Sequence, residues 1–238
     1  MSNRSILCWI CGDAGTTGEH KIKRSDLHSV FGNPTQATPL YLSDDRQKNR
    51  PIGSLNSKIL KLRSRLCAKC NNKRTQPHDL AWEKLSEALR FRVPEIRPGT
   101  SVRVNRIFRY DTARELLNVH LYFVKIFGCY LLEASIPIDI SMFSNAILQE
   151  KANPYLYLKF GRAIRVGNNA RRVGTSNVVA DIKNADGSCA FATWFYYVGN
   201  LAVQVMYAVD GEERQGLLGA WHPRLGTNKL EYSEFEKL

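Results

Sequence analysis

Two CxxC pairs carry the strongest chemical signal in this 238-residue chain: Cys8 and Cys11 in CWIC, then Cys67 and Cys70 in CAKC. Two such hooks far apart in sequence offer four thiolates to one tetrahedral Zn²⁺. That is the ligand set of a closed structural site, because a catalytic zinc keeps a position open. The dipeptide Glu19-His20 lies between the pairs, and Asn71-Asn72 follows the second pair directly. A carboxylate, an imidazole and a carboxamide are thus gathered around one clamp.

The remaining cysteines, Cys129 and Cys189, are isolated and read as small buried hydrophobes. The opening, MSNRSILCWIC, lacks the long apolar core and small-residue cleavage site of a secretory signal. Metal-bound thiolates in a reducing cytoplasm therefore fit better than a disulfide framework. The most apolar stretch, 116–134, is interrupted by His120, Lys125 and Glu133. It is expected to be a buried amphipathic helix, and no membrane partner is expected.

The net charge of +12 is unevenly placed. Residues 1–94 hold 17 Lys and Arg against 8 Asp and Glu, whereas residues 95–238 hold 17 against 14. A positive field concentrated around the cysteines favours polyanions, nucleic acid first, although a merely soluble basic surface has the same charge.

The elements that must position these groups are short. Gly12 allows a tight turn after the first hook, and residues 19–23 alternate enough for a short strand. Ser25 and Asp26 suit the cap of a brief helix over 27–31. Residues 34–56 read as a polar surface excursion. Leu60, Leu62 and Leu66 alternate with Lys61, Arg63 and Arg65, the period of a half-buried strand. Its cations suit a phosphate backbone or a charge-protected sheet edge equally well. Behind the second hook, Leu80, Leu85, Ala88 and Leu89 recur at helical spacing, more weakly joined by Trp82, with Pro77 in the first turn. Pro94 and Pro98-Gly99 mark an expected domain boundary.

Beyond it, residues 101–108 alternate like a strand, 111–134 read as a long helix capped by Asp111 or Thr112, and 141–149 as a shorter one. Strands are expected over 155–164, 177–182, 189–198 and 201–209, with Gly199-Asn200 as a hairpin turn. About four or five strands should form an antiparallel sheet on the two helices. The loop 162–177, rich in Arg, Gly and Asn, is read as a solvated turn. His28 is expected on the surface, His120 as a satisfied core histidine, and His222 is assigned no role.

The order CxxC, Glu-His, CxxC-Asn resembles the HNH, or ββα-metal, endonucleases with two zinc knuckles, of the recombination endonuclease VII type. The resemblance covers about residues 6–90. It implies a zinc-bound ββα-metal module over 1–94; the element pattern beyond it is read as an α+β domain over 95–238, of unknown role in targeting, dimerisation or regulation, in an overall α+β fold. The resemblance implies His20 as general base, Glu19 and Asn71 as ligands of a catalytic Mg²⁺ or Mn²⁺, and a structural Zn²⁺. His78 is a secondary candidate for the last His of the motif. Lys21, Lys23, Lys61, Arg63, Arg65, Lys73 and Arg74 are the candidate nucleic-acid contacts. Glu stands where the family more often has Asp, and the middle Asn has no match at the expected spacing, although Asn49 and Asn56 are present.

The chemistry suits these residue types. Phosphodiester hydrolysis needs an activated water and an electrophile on the phosphate, which a neutral imidazole and a hard ion supply. The expected activity is DNA endonucleolysis, in a chain that is a possible homodimer. The alternatives are an RNA nuclease and a non-catalytic zinc-knuckle adaptor for nucleic acid or protein.

Overall fold

The computed structural model describes residues 7–45, 47–92, 96–164, 171–182 and 187–236. Strand β1 (Thr17–His20) pairs antiparallel with β4 (Lys61–Leu66), and a small hairpin, β2 (Leu40–Leu42) with β3 (Arg50–Ile52), lies between them in sequence. Helix α1 (Arg24–Phe31) follows β1. A π-helical turn (Lys69–Arg74) and helix α2 (Gln76–Arg92) follow β4. Leu60, Leu62 and Leu66 are buried, as the alternation requires, whereas Arg63 stays exposed.

Three expectations change here. The strand ends at His20, where residues 19–23 were expected to form it. Helix α1 begins at Arg24, and Asp26 is no cap: it is buried, accepting hydrogen bonds from Trp82 Nε1 (2.9 Å) and Tyr196 Oη (2.6 Å). The 34–56 excursion is anchored, with Leu40, Ile52 and Leu55 in the core.

The larger sheet has seven strands in the order β5-β11-β6-β10-β9-β7, with β8 also on β9. Its members are β5 (Ser101–Arg103), β6 (Leu156–Ala163), β7 (Val173–Thr175), β8 (Val179–Asp181), β9 (Phe191–Val198), β10 (Leu201–Ala208) and β11 (Lys229–Phe235). The β9–β10 hairpin turns at Gly199-Asn200 as expected. All pairings are antiparallel except β11 with β6, which is parallel. β5 is shorter than expected and passes into a 3₁₀ turn at Val104–Arg106, and β7 lies in the stretch read as a loop.

Helices α3 (Thr112–Glu133) and α4 (Ser141–Gln149) cover the sheet, with Asp111 capping α3 by accepting from Arg114 N–H. Strand alternation sends Trp194 towards Phe127 and Tyr130 of α3, while Phe195 meets Phe235 on the opposite face. Helix α3 is long and apolar enough to cross a membrane, but 78% of its most apolar window is buried inside the protein.

The expected boundary near residue 94 separates no cores. Trp82 of α2 stacks on Tyr122 of α3 and meets Tyr196 of β9 edge-on, so one continuous cluster runs from Cys8 to Tyr232. Leu80, expected in that core, is 57% exposed. Helix α2 instead turns His78, Ala81, Trp82, Leu85, Ser86 and Leu89 inward.

Candidate functional site

The four cysteine sulfurs of the two hooks lie within 4.8 Å of one another, and among the described residues this is the one group of three or more His, Cys, Asp or Glu spaced to hold a metal. Each hook shapes its own approach. Gly12, at φ +81°, closes the first turn with its N–H donating to Cys8 O (2.8 Å), and Cys70 N–H donates to Cys67 Sγ (3.3 Å). The donors fit zinc: four soft sulfurs, three of them buried, gathered from two CxxC hooks.

Their electrostatics point the same way. Burial pushes Cys70 up, and burial and its neighbours push Cys11 up to about 11. Cys67 is pulled down despite its burial, by the Cys70 N–H and the surrounding thiols. Four sulfurs this close all ionise only with a cation among them. Trp9, inside the first hook, reaches Cys129 Sγ of α3 with its Nε1–H (3.3 Å). It lies so close to Gly128 that an added Cβ would stand 2.8 Å from the ring.

The clamp fixes a cleft of about 540 Å³, whose lining includes Glu19, His20, Lys23, Arg24, Asn71, Asp79 and Lys125. Glu19 and His20 end β1 where its register with β4 slips, between Gly18 opposite Arg65 and His20 opposite Lys61. Such irregularities re-aim side chains. Asn71 lies in the π-helical turn directly behind Cys70 and donates its Nδ2–H to Thr17 Oγ1 (3.1 Å), leaving its carbonyl oxygen available. The sequence-predicted trio of Glu19, His20 and Asn71 is therefore assembled on one cleft.

His20 is held by a backbone carbonyl. Its Nε2 lies 3.3 Å from the carbonyl oxygen of Leu55, which can only accept, so Nε2 carries the hydrogen and Nδ1 the lone pair. Burial holds its pKa below the ordinary 6.5, and the ring is neutral at pH 7. The carbonyl comes from the loop that precedes Asn56, one of the two asparagines without an expected place.

Glu19 is 9% exposed, and its Oε1 accepts from His20 N–H (3.2 Å). Its Oε2 is buried without an aligned hydrogen bond; the nearest cation, Lys125 Nζ, stands 3.1 Å away. Lys125, from the middle of α3, also contacts Asp79 (2.9 and 3.1 Å) and Thr75 Oγ1 (3.3 Å). Burial alone would lower the Lys125 pKa, but the Glu19 and Asp79 carboxylates outweigh it, and the side chain is a buried ammonium.

An under-satisfied carboxylate oxygen and a free amide oxygen on one cleft are hard donors that suit Mg²⁺ or Mn²⁺. The Lys125 ammonium bridges the Glu19 and Asp79 carboxylates at this end of the cleft.

Other predicted residues are placed differently. His78 is 2% exposed with Nδ1 against Asn118 Oδ1 (3.1 Å), beneath the cleft rather than on it; its neighbour Asp79 takes the lining position. Arg74 donates to Cys70 Sγ (2.9 Å) and so belongs to the clamp. Lys23 lines the cleft, 3.5 Å from Glu83, and Lys73 is exposed on the π-helical turn. Lys21, Lys61 and Arg63 line a second groove with Arg50, where Arg63 pairs with Glu133 (2.8 Å). Arg65 pairs in register with Gly18 and lines neither.

Sequence reasoning missed Asp79 and Lys125. The only signal for Lys125 was a charge inside an otherwise apolar helix.

No protein-family model, curated protein or solved structure matches this chain. Its class follows from its own geometry: a mixed α+β protein with antiparallel sheets and, near the N-terminus, a four-cysteine cluster that can hold a metal such as zinc.

Proposed function

We propose that the protein is a metal-dependent endonuclease of the HNH, or ββα-metal, type that hydrolyses phosphodiester bonds of DNA. One observation carries this reading. Two antiparallel strands and a following helix, joined at the four-cysteine cluster, bring Glu19, His20 and Asn71 to a single cleft.

In this reading the zinc, on Cys8, Cys11, Cys67 and Cys70, holds strand and helix together. Glu19 and Asn71 would hold the catalytic Mg²⁺ or Mn²⁺, which supplies polarisation of the phosphate when bound. His20, fixed through Leu55 O, takes a proton from the attacking water at Nδ1. Lys23 and Arg24 at the cleft, with Lys21, Lys61 and Arg63 in the neighbouring groove, hold the phosphate backbone on either side of the reacting bond. The products are a 5′-phosphate and a 3′-hydroxyl, as the family resemblance implies.

The test is incubation of plasmid DNA and of RNA with Mg²⁺ or Mn²⁺, comparing the native protein with His20→Ala. The expected outcome is metal-dependent DNA cleavage, reduced at least about 100-fold in the variant, the usual scale of lost acid–base catalysis. Cleavage that persists undiminished would remove His20 as the base, and cleavage of RNA alone would make it a ribonuclease. Intact DNA and RNA in every condition would leave the non-catalytic adaptor.

A further inference from the structure

The acid end of the cleft contains a cation of the protein's own. Lys125 is 1% exposed, and its ammonium lies between Glu19 Oε2 (3.1 Å) and Asp79 Oδ1 (2.9 Å), with Thr75 Oγ1 at 3.3 Å. It belongs to α3, so the second half of the chain reaches into a site otherwise built by the first. A lysine that only filled space in this helix would not meet two carboxylates that line an open cleft. The 3.1 Å approach of Lys125 Nζ is the one polar contact of Glu19 Oε2 among the described residues, so the ammonium alone holds that oxygen at the edge of the cleft.

We infer that Lys125 is a positioning residue that holds the Glu19 and Asp79 carboxylates at the cleft and limits how tightly Glu19 binds a divalent cation. The inference rests on the metal-dependent reading above and adds a residue to it.

Charge sets the consequence. The two carboxylates and the ammonium together carry one net negative charge. A divalent ion inverts this to one net positive charge, which one phosphodiester neutralises. Without the ammonium, the two carboxylates would bind a divalent ion more tightly, and positive charge for the phosphate would come from Lys23 and Arg24 alone. Removing the Asp79 charge has the opposite effect, because Glu19 and Lys125 then neutralise one another.

Mn²⁺ binding to the zinc-loaded full chain, read by the paramagnetic resonance of free Mn²⁺, tests this without any turnover. Glu19→Gln identifies the binding that belongs to the cleft. Lys125→Met should tighten that binding by at least about tenfold and Asp79→Asn weaken it by a similar factor, as expected for one charge added or removed beside a divalent ion. Lys125→Arg, which keeps the charge, should stay close to the native protein. If Lys125→Met does not fold, the Asp79→Asn and Lys125→Arg pair carries the test.

Native Mn²⁺ binding that requires Glu19, but that neither Lys125→Met nor Asp79→Asn alters, or that both shift in the same direction, would overturn the role of Lys125 and leave the nuclease reading standing. Absence of any Glu19-dependent Mn²⁺ binding in the native protein would remove both.

Discussion

Residues 7–92 and residues 96–236 bury themselves by different means. The second region has strands of up to eight residues, and helix α3 lies along the sheet with fourteen buried residues. The first has shorter strands, of three to six residues, and is fastened at two points: the four-cysteine cluster and the face of α2 that meets α3. Of the largest fully buried side chains among the described residues, only Trp82 and Leu66 come from the first region. A region with so little core of its own can present polar, under-satisfied groups on a cleft, because its stability comes from the clamp and from a neighbour. The region with the deep core carries little chemistry of its own, and contributes Lys125.

The contrast is broken most directly at the clamp. Cys67→Ser, or stripping the metal with a strong chelator, should unfold the first region. A structural zinc contributes roughly 10 kcal/mol or more to such sites, above the whole stability of a typical domain. Elemental analysis should find zinc in the native chain and not in the variant. Recovery of a metal-free, fully folded protein would show that the first region has an adequate core after all.

Trp82→Ala tests the second fastening. The ring is fully buried against Tyr122, Phe123 and Tyr196, so the loss should be about 3–5 kcal/mol in denaturant unfolding. Both regions should melt together. A second, separate transition would mean that the halves fold as independent units.

A smaller effect belongs to the second region. His120 is completely buried, with Nε2 accepting from Asn153 N–H (3.1 Å), and burial holds its pKa well below the ordinary 6.5. The unfolded chain therefore takes up a proton near pH 6.5 that the folded state refuses. This contribution to stability is whole above pH 6.5 and is lost as pH falls towards the folded pKa, by up to about 1.4 kcal/mol per pH unit. His120→Gln should flatten the acid side of a plot of melting temperature against pH. His20, His78 and His222, also held low by burial, would leave a residual slope.

The smallest effect is at Arg63, whose side chain is 83% exposed where it pairs with Glu133. Arg63→Ala should change stability by less than about 1 kcal/mol, as for other exposed ion pairs. In the nuclease reading it should still weaken DNA binding and reduce the salt dependence of that binding. A large loss of stability would instead make the Arg63–Glu133 pair a fastening between the regions alongside the α2–α3 contact.

Much of the secondary structure was legible. Helix α4, the β9–β10 hairpin and α3 to within a residue at each end follow from apolar periodicity and turn residues, because these are signals within one element. Strand β11 escaped notice because KLEYSEF alternates with charged and hydroxyl residues and takes its place only by pairing with β5 and β6. Asp26 read as a cap because its partners, Trp82 and Tyr196, are remote in sequence. His78, a secondary candidate for the last His of the motif, is drawn inward to Asn118 by the face of α2 that meets α3.

The sequence by itself determined the four sulfurs, the placing of Glu19 and His20 between the hooks, and Asn71 behind the second. These depend on spacing within short segments, where local geometry leaves few choices. The tertiary structure alone decided that Lys125 lies between Glu19 and Asp79, that Leu55 O orients His20, and that α2 shares its core with α3. Those contacts join residues far apart in the chain, and the Lys125 contacts exist because docking of α3 buries enough apolar surface to hold a charged side chain beside two carboxylates.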